Sequence, residues 1–117
     1  MSNTTFRSHR EQTFKTFSPG VHVCVLRRHG AASGEERTIE AGMTLLFRMD
    51  EGARAPHHEH PGGEETYLVS GKLRVGERVL LPGDYLWTAP GEAHDALAEE
   101  DSVFFVVLPD GLRFTGA

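Results

Sequence analysis

Two histidines and a glutamate near the middle of the chain have the residue types and spacing of a metal site. In an extended strand, residues two apart project from the same face, so His58 and His60 present both imidazoles together. A Pro-Gly-Gly turn follows and reverses the chain, which returns Glu64 beside them at the start of the next strand. Imidazole nitrogens and a carboxylate oxygen are common donors to divalent transition metals. These three residues are therefore the first candidate ligands.

These residues also form a motif that resembles the first of the two short motifs of the cupin family. The family pattern is Gly, five residues, His-x-His, three or four residues, Glu, six residues and Gly, and it matches residue for residue from Gly52 to Gly71. The match selects Glu64 over Glu65, because only Glu64 leaves six residues before the last glycine. Glu65 is predicted to point to the opposite face of the strand, and His57 to project away from the two histidine ligands.

The second cupin motif implies one more ligand, from a different part of the chain. Its pattern is Gly, five residues, Pro-x-Gly-x-x-His, three residues and Asn. Gly83, Gly91 and His94 keep their places, whereas Pro90 lies one position late and Ala98 stands where Asn is expected. By this resemblance His94 is the fourth ligand, and only tertiary closure would bring it to the others. Together the motifs look most like the zinc-binding cupin of ChrR-type anti-sigma factors. The chain shows no counterpart of their sigma-binding domain, so sigma-factor control is not carried over.

The elements that must position these ligands are predicted to be short strands. Gly and Pro recur at short intervals, which leaves little room for helices. The predicted strands, rich in Val, Leu, Phe, Tyr and Thr, are 21–26, 43–49, 66–70, 78–81, 85–88 and 103–108. This pattern indicates an all-β sandwich or barrel. The resemblance, which covers roughly residues 19–110, implies one RmlC-like jelly-roll β-barrel. We assign residues 19–117 to this barrel and residues 1–18 to an N-terminal arm or a swapped edge strand.

Composition limits the partners that we expect. The 117 residues and the 38% hydrophobic content suit one domain with one core. A net charge of -5 with scattered Lys and Arg provides no basic face for nucleic acid. The N-terminus is polar and no spanning segment follows, so we expect a cytoplasmic protein without membrane contact. The single Cys24 lies between Val23 and Val25 and is interpreted as a packing residue.

Strand alternation also predicts the walls of a ligand pocket. Counting from the glutamate ligand places Thr66 and Leu68 on the inward face. The aromatic residues Phe47, Tyr85 and Trp87 lie on strands predicted to flank the site, where they would make its interior mainly apolar. Simple core packing is the alternative interpretation for these aromatics.

The donor set supports two hypotheses about function. Three neutral imidazoles and one carboxylate leave a divalent ion with a charge of about +1, which favours an anionic or enolisable oxygen ligand. The same donors suit Zn, Fe, Mn and Ni. In the first hypothesis, Fe²⁺ or Mn²⁺ keeps two free positions for dioxygenase or isomerase chemistry on a small oxygenated compound, with Arg48 or Arg54 holding a carboxylate. In the second, the chain is a non-catalytic zinc-binding or ligand-sensing module with a closed tetrahedral site.

The residues do not decide between these two hypotheses, and a metal-free sugar-binding or structural cupin is disfavoured by the full ligand set. The resemblance to small cupins further implies a homodimer, for which residues 13–17 are the candidate contact segment.

Overall fold

The computed structural model describes residues 3–29 and 42–111, together with the backbone of residues 113–114. Apart from one 3-10 turn at His9–Glu11, the regular structure in these ranges consists of β-strands. The strands are β1 (Lys15–Ser18), β2 (Val21–Arg28), β3 (Met43–Met49), β4 (Arg54–Glu59), β5 (Glu64–Ser70), β6 (Leu73–Val75), β7 (Arg78–Leu80), β8 (Tyr85–Thr88), β9 (Ala93–Ala98), β10 (Ser102–Leu108) and β11 (Arg113–Phe114). No helix in the described ranges has the length and apolar character needed to cross a membrane.

The strands form two antiparallel sheets, which confirms the prediction of an all-β fold. The larger sheet has the order β1-β2-β3-β10-β5-β8, and the smaller has the order β11-β4-β9-β6-β7. Apolar side chains from both sheets meet in one core, in which the rings of Phe47 and Phe104 stack with centroids 5.1 Å apart. Alternate residues of β3 and β10 are buried, as the two-residue period of a strand requires. Cys24 is also buried, in agreement with a packing role.

All six predicted strands are present, but the sequence pattern does not indicate several of the others. The missed β6 is only three residues long, and the missed β9 reads Ala-His-Asp-Ala-Leu-Ala, without a β-branched or aromatic residue. Both are strands because they pair with each other and with a further neighbour in the smaller sheet. In these two segments, pairing with neighbouring strands outweighs a low local propensity for strand structure.

The end of the predicted N-terminal arm is part of the larger sheet. Residues 15–18 form β1, which pairs antiparallel with β2 of the same chain through Lys15 opposite Val23 and Thr16 opposite His22. The boundary drawn after residue 18 therefore separates two strands of one hairpin. As a result, β1 is an edge strand on the same sheet that carries Phe47 and Glu64.

Candidate metal centre

Three histidine side chains, from β4, the residue after it and β9, meet in one cluster. His58 of β4 lies opposite His94 of β9 in the strand register, and His60 follows β4 directly. The ring centroids are 4.3 Å apart for His60 and His94, 4.7 Å for His58 and His60, and 5.0 Å for His58 and His94. One nitrogen of each ring lies within 4.8 Å of the others, so the three can hold one metal ion. His94, from the second motif with its displaced proline, therefore lies beside the two histidines of the first motif.

A bulge in β4 sets which side chains face the interior. Ala55 lies opposite Ala96 and His58 opposite His94, so β4 has two residues, Pro56 and His57, where β9 has one. Pro56 has no N–H to donate to the ladder, which makes this the expected place for an extra residue. Because of the bulge, Ala55 and His58 both line the interior, while His57 is exposed. A regular strand would have placed His57 on the same face as Ala55.

Glu64 brings a carboxylate against two of the three imidazoles. Its oxygens lie 3.3 Å from Nε2 of His60 and 3.7 Å from Nε2 of His94, and the residue is buried. The hydroxyl of Thr66 donates a hydrogen bond of 2.9 Å to Oε1 of Glu64 and so orients the carboxylate. The adjacent Glu65 lies on the other face, where it accepts a hydrogen bond from the Tyr85 hydroxyl. Glu64 and Glu65 therefore occupy the two sides that the first motif predicts.

Backbone carbonyls orient two of the imidazoles. Nδ1 of His58 lies 2.6 Å from the carbonyl oxygen of Pro56, and Nδ1 of His60 lies 3.0 Å from that of Glu92. A carbonyl only accepts, so in each neutral ring Nδ1 carries the proton and Nε2 carries the lone pair. This is the tautomer that binds a metal through Nε2.

The structure contains one unsatisfied buried atom that fits a metal at this point. Nε2 of His60 is fully buried and has no hydrogen-bond partner among the described residues. Its distance of 3.3 Å from Glu64 is that of an ion pair, but the geometry is not that of a hydrogen bond. A lone pair facing a carboxylate oxygen in a buried site is unfavourable unless a proton or a metal ion lies between them. The donor set and this orphaned nitrogen are both suited to a divalent metal ion.

Burial and mutual contacts adjust the charges of the four groups. Burial lowers the pKa of His94 to about 4 and also lowers the pKa of His58, so both rings are neutral donors at neutral pH. Burial opposes protonation of His60, but the Glu64 carboxylate outweighs it and raises the pKa of His60. Burial likewise opposes ionisation of Glu64, but His60, His94 and Thr66 together lower the pKa of this carboxyl group. The site therefore presents an ionised carboxylate to whatever cation it holds.

The cluster opens onto a small cavity between the two sheets. The cavity has a volume of about 40 Å³ and is mainly apolar. Its polar lining residues are His58, Glu64, Thr66 and His94. The apolar lining residues are Phe17, Val21, Phe47, Met49, Ala55, Leu73, Val75, Ala96 and Phe104. The donor atoms therefore face a small, mainly apolar space.

Of the four predicted pocket residues, only Phe47 lines this cavity. Leu68 points inward as predicted but is fully buried in the core, away from the cavity wall. Tyr85 and Trp87 are 56% and 47% exposed and do not line this cavity, but Trp87 lines a second, more polar pocket that also includes His94. In the β5–β8 register Trp87 lies opposite the outward-facing Glu65, which places Trp87 and Tyr85 on the outer face of the sheet.

The two predicted carboxylate-binding arginines also lie away from the cavity. Arg48 is exposed, and its guanidinium lies 4.9 Å from the centroid of the Phe14 ring. Arg54 is exposed and forms a 3.8 Å ion pair with Asp95. Neither residue is placed to hold a ligand in the cavity.

Thr66 lines the cavity, in agreement with its predicted inward direction two residues after Glu64, whereas two aromatic residues of the cavity wall were not predicted. Phe104 and Phe17 carry no such signal, because each reaches the cavity from a strand that is distant in sequence from the ligand motifs.

The Thr66 hydroxyl is predicted to contribute to metal affinity through Glu64. Thr66→Val keeps the shape of the side chain but removes the hydrogen bond to Oε1. We expect the affinity for Zn²⁺ to fall by about tenfold, the usual effect of losing a group that orients a metal ligand. Competition titration against a chromogenic chelator measures this change. Thr66→Ser, which retains the hydroxyl, should keep most of the affinity, and equal affinities of the valine variant and the parent protein would refute the role.

Comparisons with known proteins place this geometry among cupins. Residues 3–110 match the ChrR Cupin-like domain family. Among curated proteins, the DNA damage-repair/toleration protein DRT102 of Arabidopsis thaliana is 33% identical over 73 residues. That match covers 57% of this chain, and the chain spans only 24% of the relative.

Solved structures share the fold at low sequence identity. An RmlC-like cupin protein from Ralstonia eutropha superimposes with a TM-score of 0.77 at 20% identity, covering 94% of this chain and 71% of that one. A putative acetylacetone dioxygenase from Methylibium petroleiphilum gives a TM-score of 0.77 at 17% identity, with 99% and 86% covered. The anti-sigma factor ChrR of Rhodobacter sphaeroides, solved in complex with SigE, gives 0.69 at 22%, with 87% and 52% covered. These likenesses establish an RmlC-like cupin fold.

Proposed function

The chain belongs to the ChrR cupin-like domain family, and from this premise we propose that it is a metal-dependent enzyme that acts on a compact oxygenated molecule. Its His58, His60, Glu64 and His94 would hold one divalent ion, with Fe, Mn, Ni and Zn all compatible with these donors. The substrate would occupy the adjoining cavity. A dioxygenase or isomerase reaction suits such a site best.

The observation that carries this proposal is the cavity beside the donor cluster. A purely structural zinc site is enclosed by its ligands and needs no space next to them. Here His58, Glu64 and His94 each contribute to the wall of a mainly apolar cavity. A molecule bound there would lie against the donors and next to apolar walls.

The chemical class of the substrate follows from the walls and the charge. When bound, the metal would act as a Lewis acid on an oxygen of the substrate and stabilise negative charge there. The aromatic rings of Phe47 and Phe104 offer apolar contact to the carbon skeleton, and no arginine or lysine among the described residues lines the cavity. A neutral molecule with enolisable oxygens, such as a small 1,3-diketone, fits these features. The acetylacetone dioxygenases among the structures of the same fold support this choice.

A second candidate is a non-catalytic zinc-binding or ligand-sensing module. The position of Glu64, within 3.3 Å of His60 and 3.7 Å of His94, favours it, because three imidazoles and one carboxylate complete a tetrahedral zinc site. The family match to the cupin-like domain of ChrR also supports it.

Visible absorption of the Co²⁺-loaded protein separates the two candidates. The enzyme proposal predicts weak bands of a five- or six-coordinate ion that shift when pentane-2,4-dione is added, because free positions accept its oxygens. Iron-loaded protein is then expected to consume O₂ or convert the diketone. Intense tetrahedral bands that pentane-2,4-dione leaves unchanged would contradict the enzyme proposal and support the closed zinc site. Glu65→Gln is the matched control for Glu64→Gln, because only Glu64 faces the donors.

A further inference from the structure

Phe17 is the most exposed of the described residues that line the cavity. It is 36% exposed, whereas every other residue that lines the cavity is buried or half-buried. Phe17 therefore both lines the cavity and is partly exposed to solvent. A molecule that enters the cavity at this end must pass or displace this ring.

A bulge in β1 directs Phe17 toward the cavity. Thr16 lies opposite His22 and Ser18 opposite Val21, so Phe17 is the extra residue of β1. A bulge turns the side chain of its extra residue away from the direction that regular alternation requires. The hydroxyl of Ser18, next to the bulge, is buried and lacks a hydrogen-bond partner among the described residues. Hydrogen bonding is therefore incomplete at this point of β1.

Side-chain contacts of the residues just before Phe17 fix β1 in place, in addition to its backbone pairing with β2. The ring of Phe14 contacts the guanidinium of Arg48. Oγ1 of Thr16 lies 3.2 Å from Nδ1 of His22, whose Nε2 lies 3.3 Å from Asp50. These contacts fix the backbone of β1. A change in the cavity wall at this point therefore requires only that the side chain of Phe17 rotates.

We propose that Phe17 is a specificity-determining residue that restricts the cavity to compact ligands. The inference takes its ligand class from the proposed function, but its geometric basis does not depend on a metal. Removing the ring would widen the 40 Å³ cavity where Phe17 is exposed and make room for a larger substituent there. Bulky ligands should gain from this change, while compact ones should not.

The test compares Phe17→Ala with the parent protein, using pentane-2,4-dione as the compact probe and 1-phenylbutane-1,3-dione as the bulky one. Dissociation constants are measured by NMR titration of zinc-loaded and metal-free protein. The parent protein is expected to prefer the compact probe, and Phe17→Ala to reduce this preference by about tenfold. Phe17→Leu should have an intermediate effect. Phe6→Ala is the matched control, because Phe6 is 80% exposed and does not line the cavity.

Each outcome decides a separate question. Unchanged preference in Phe17→Ala and Phe17→Leu variants that unfold cooperatively would overturn the role of Phe17 and leave the proposed function standing. Altered preference with equal affinities in zinc-loaded and metal-free protein would support Phe17 and contradict the metal-dependent function. If none of these proteins binds either probe, the cavity is not a ligand site, and both proposals fall.

Discussion

Replacing His94 with alanine is expected to lower the affinity of the protein for divalent metal ions by at least about 100-fold. The basis is that His94 is the one donor that β9 contributes, and its nitrogen faces those of His58 and His60 within 4.8 Å. Losing a group that merely orients a ligand lowers affinity by roughly 10–100-fold, so losing the ligand itself should reach or exceed that upper value. His94 is also the most informative ligand to test, because its motif departs from the family pattern at Pro90 and Ala98.

The matched control for the His94 experiment is His57→Ala. His57→Ala removes an imidazole adjacent to His58, but the bulge in β4 leaves His57 exposed and directed away from the cluster. Metal content by elemental analysis and competition titration should therefore be unchanged in His57→Ala and strongly reduced in His94→Ala. Full metal content in a folded His94→Ala protein would show that the ion lies elsewhere or that three donors suffice.

Removing the metal is expected to destabilise the whole domain. An ion that binds only the folded state, present at about 1,000 times its dissociation constant, stabilises that state by about 4 kcal/mol. For a domain of this size, that energy raises the unfolding midpoint by on the order of 10 °C. The physical reason lies in the buried donors: without the metal, the Glu64 carboxylate and the lone pairs of the imidazoles beside it lie close together in a largely buried site, where only a proton can partly replace the ion.

Thermal unfolding followed by circular dichroism, with excess Zn²⁺ and then with a chelator, measures this effect. The shift should disappear in Glu64→Gln, which removes the negative charge, and persist in Glu65→Gln, which changes the outward-facing neighbour. A midpoint that responds equally to Zn²⁺ in both variants would show that the ion acts at some other place on the protein.

The chemistry of the site was largely predictable from the sequence. Spacing by two brings His58 and His60 to one face, and the count of residues to Gly71 separates Glu64 from Glu65, because both arguments depend only on the period of a strand. The structure places these side chains accordingly, and it brings His94 to them. The all-β class was equally accessible, because the runs of β-branched and aromatic residues between Gly and Pro turns are local features.

The walls around the site depended on tertiary structure. The outward direction of Tyr85 and Trp87 follows from the register of β8 against β5, and a shift of one residue would have turned both inward. Two bulges, at Pro56–His57 in β4 and at Phe17 in β1, likewise decide which side chains reach the cavity. A sequence determines alternation within a strand, but the face that is buried is decided by pairing with strands distant in the chain. The metal-donor residues could therefore be predicted from the sequence. The residues that line the cavity beside them depend on strand pairing and on the packing of the two sheets.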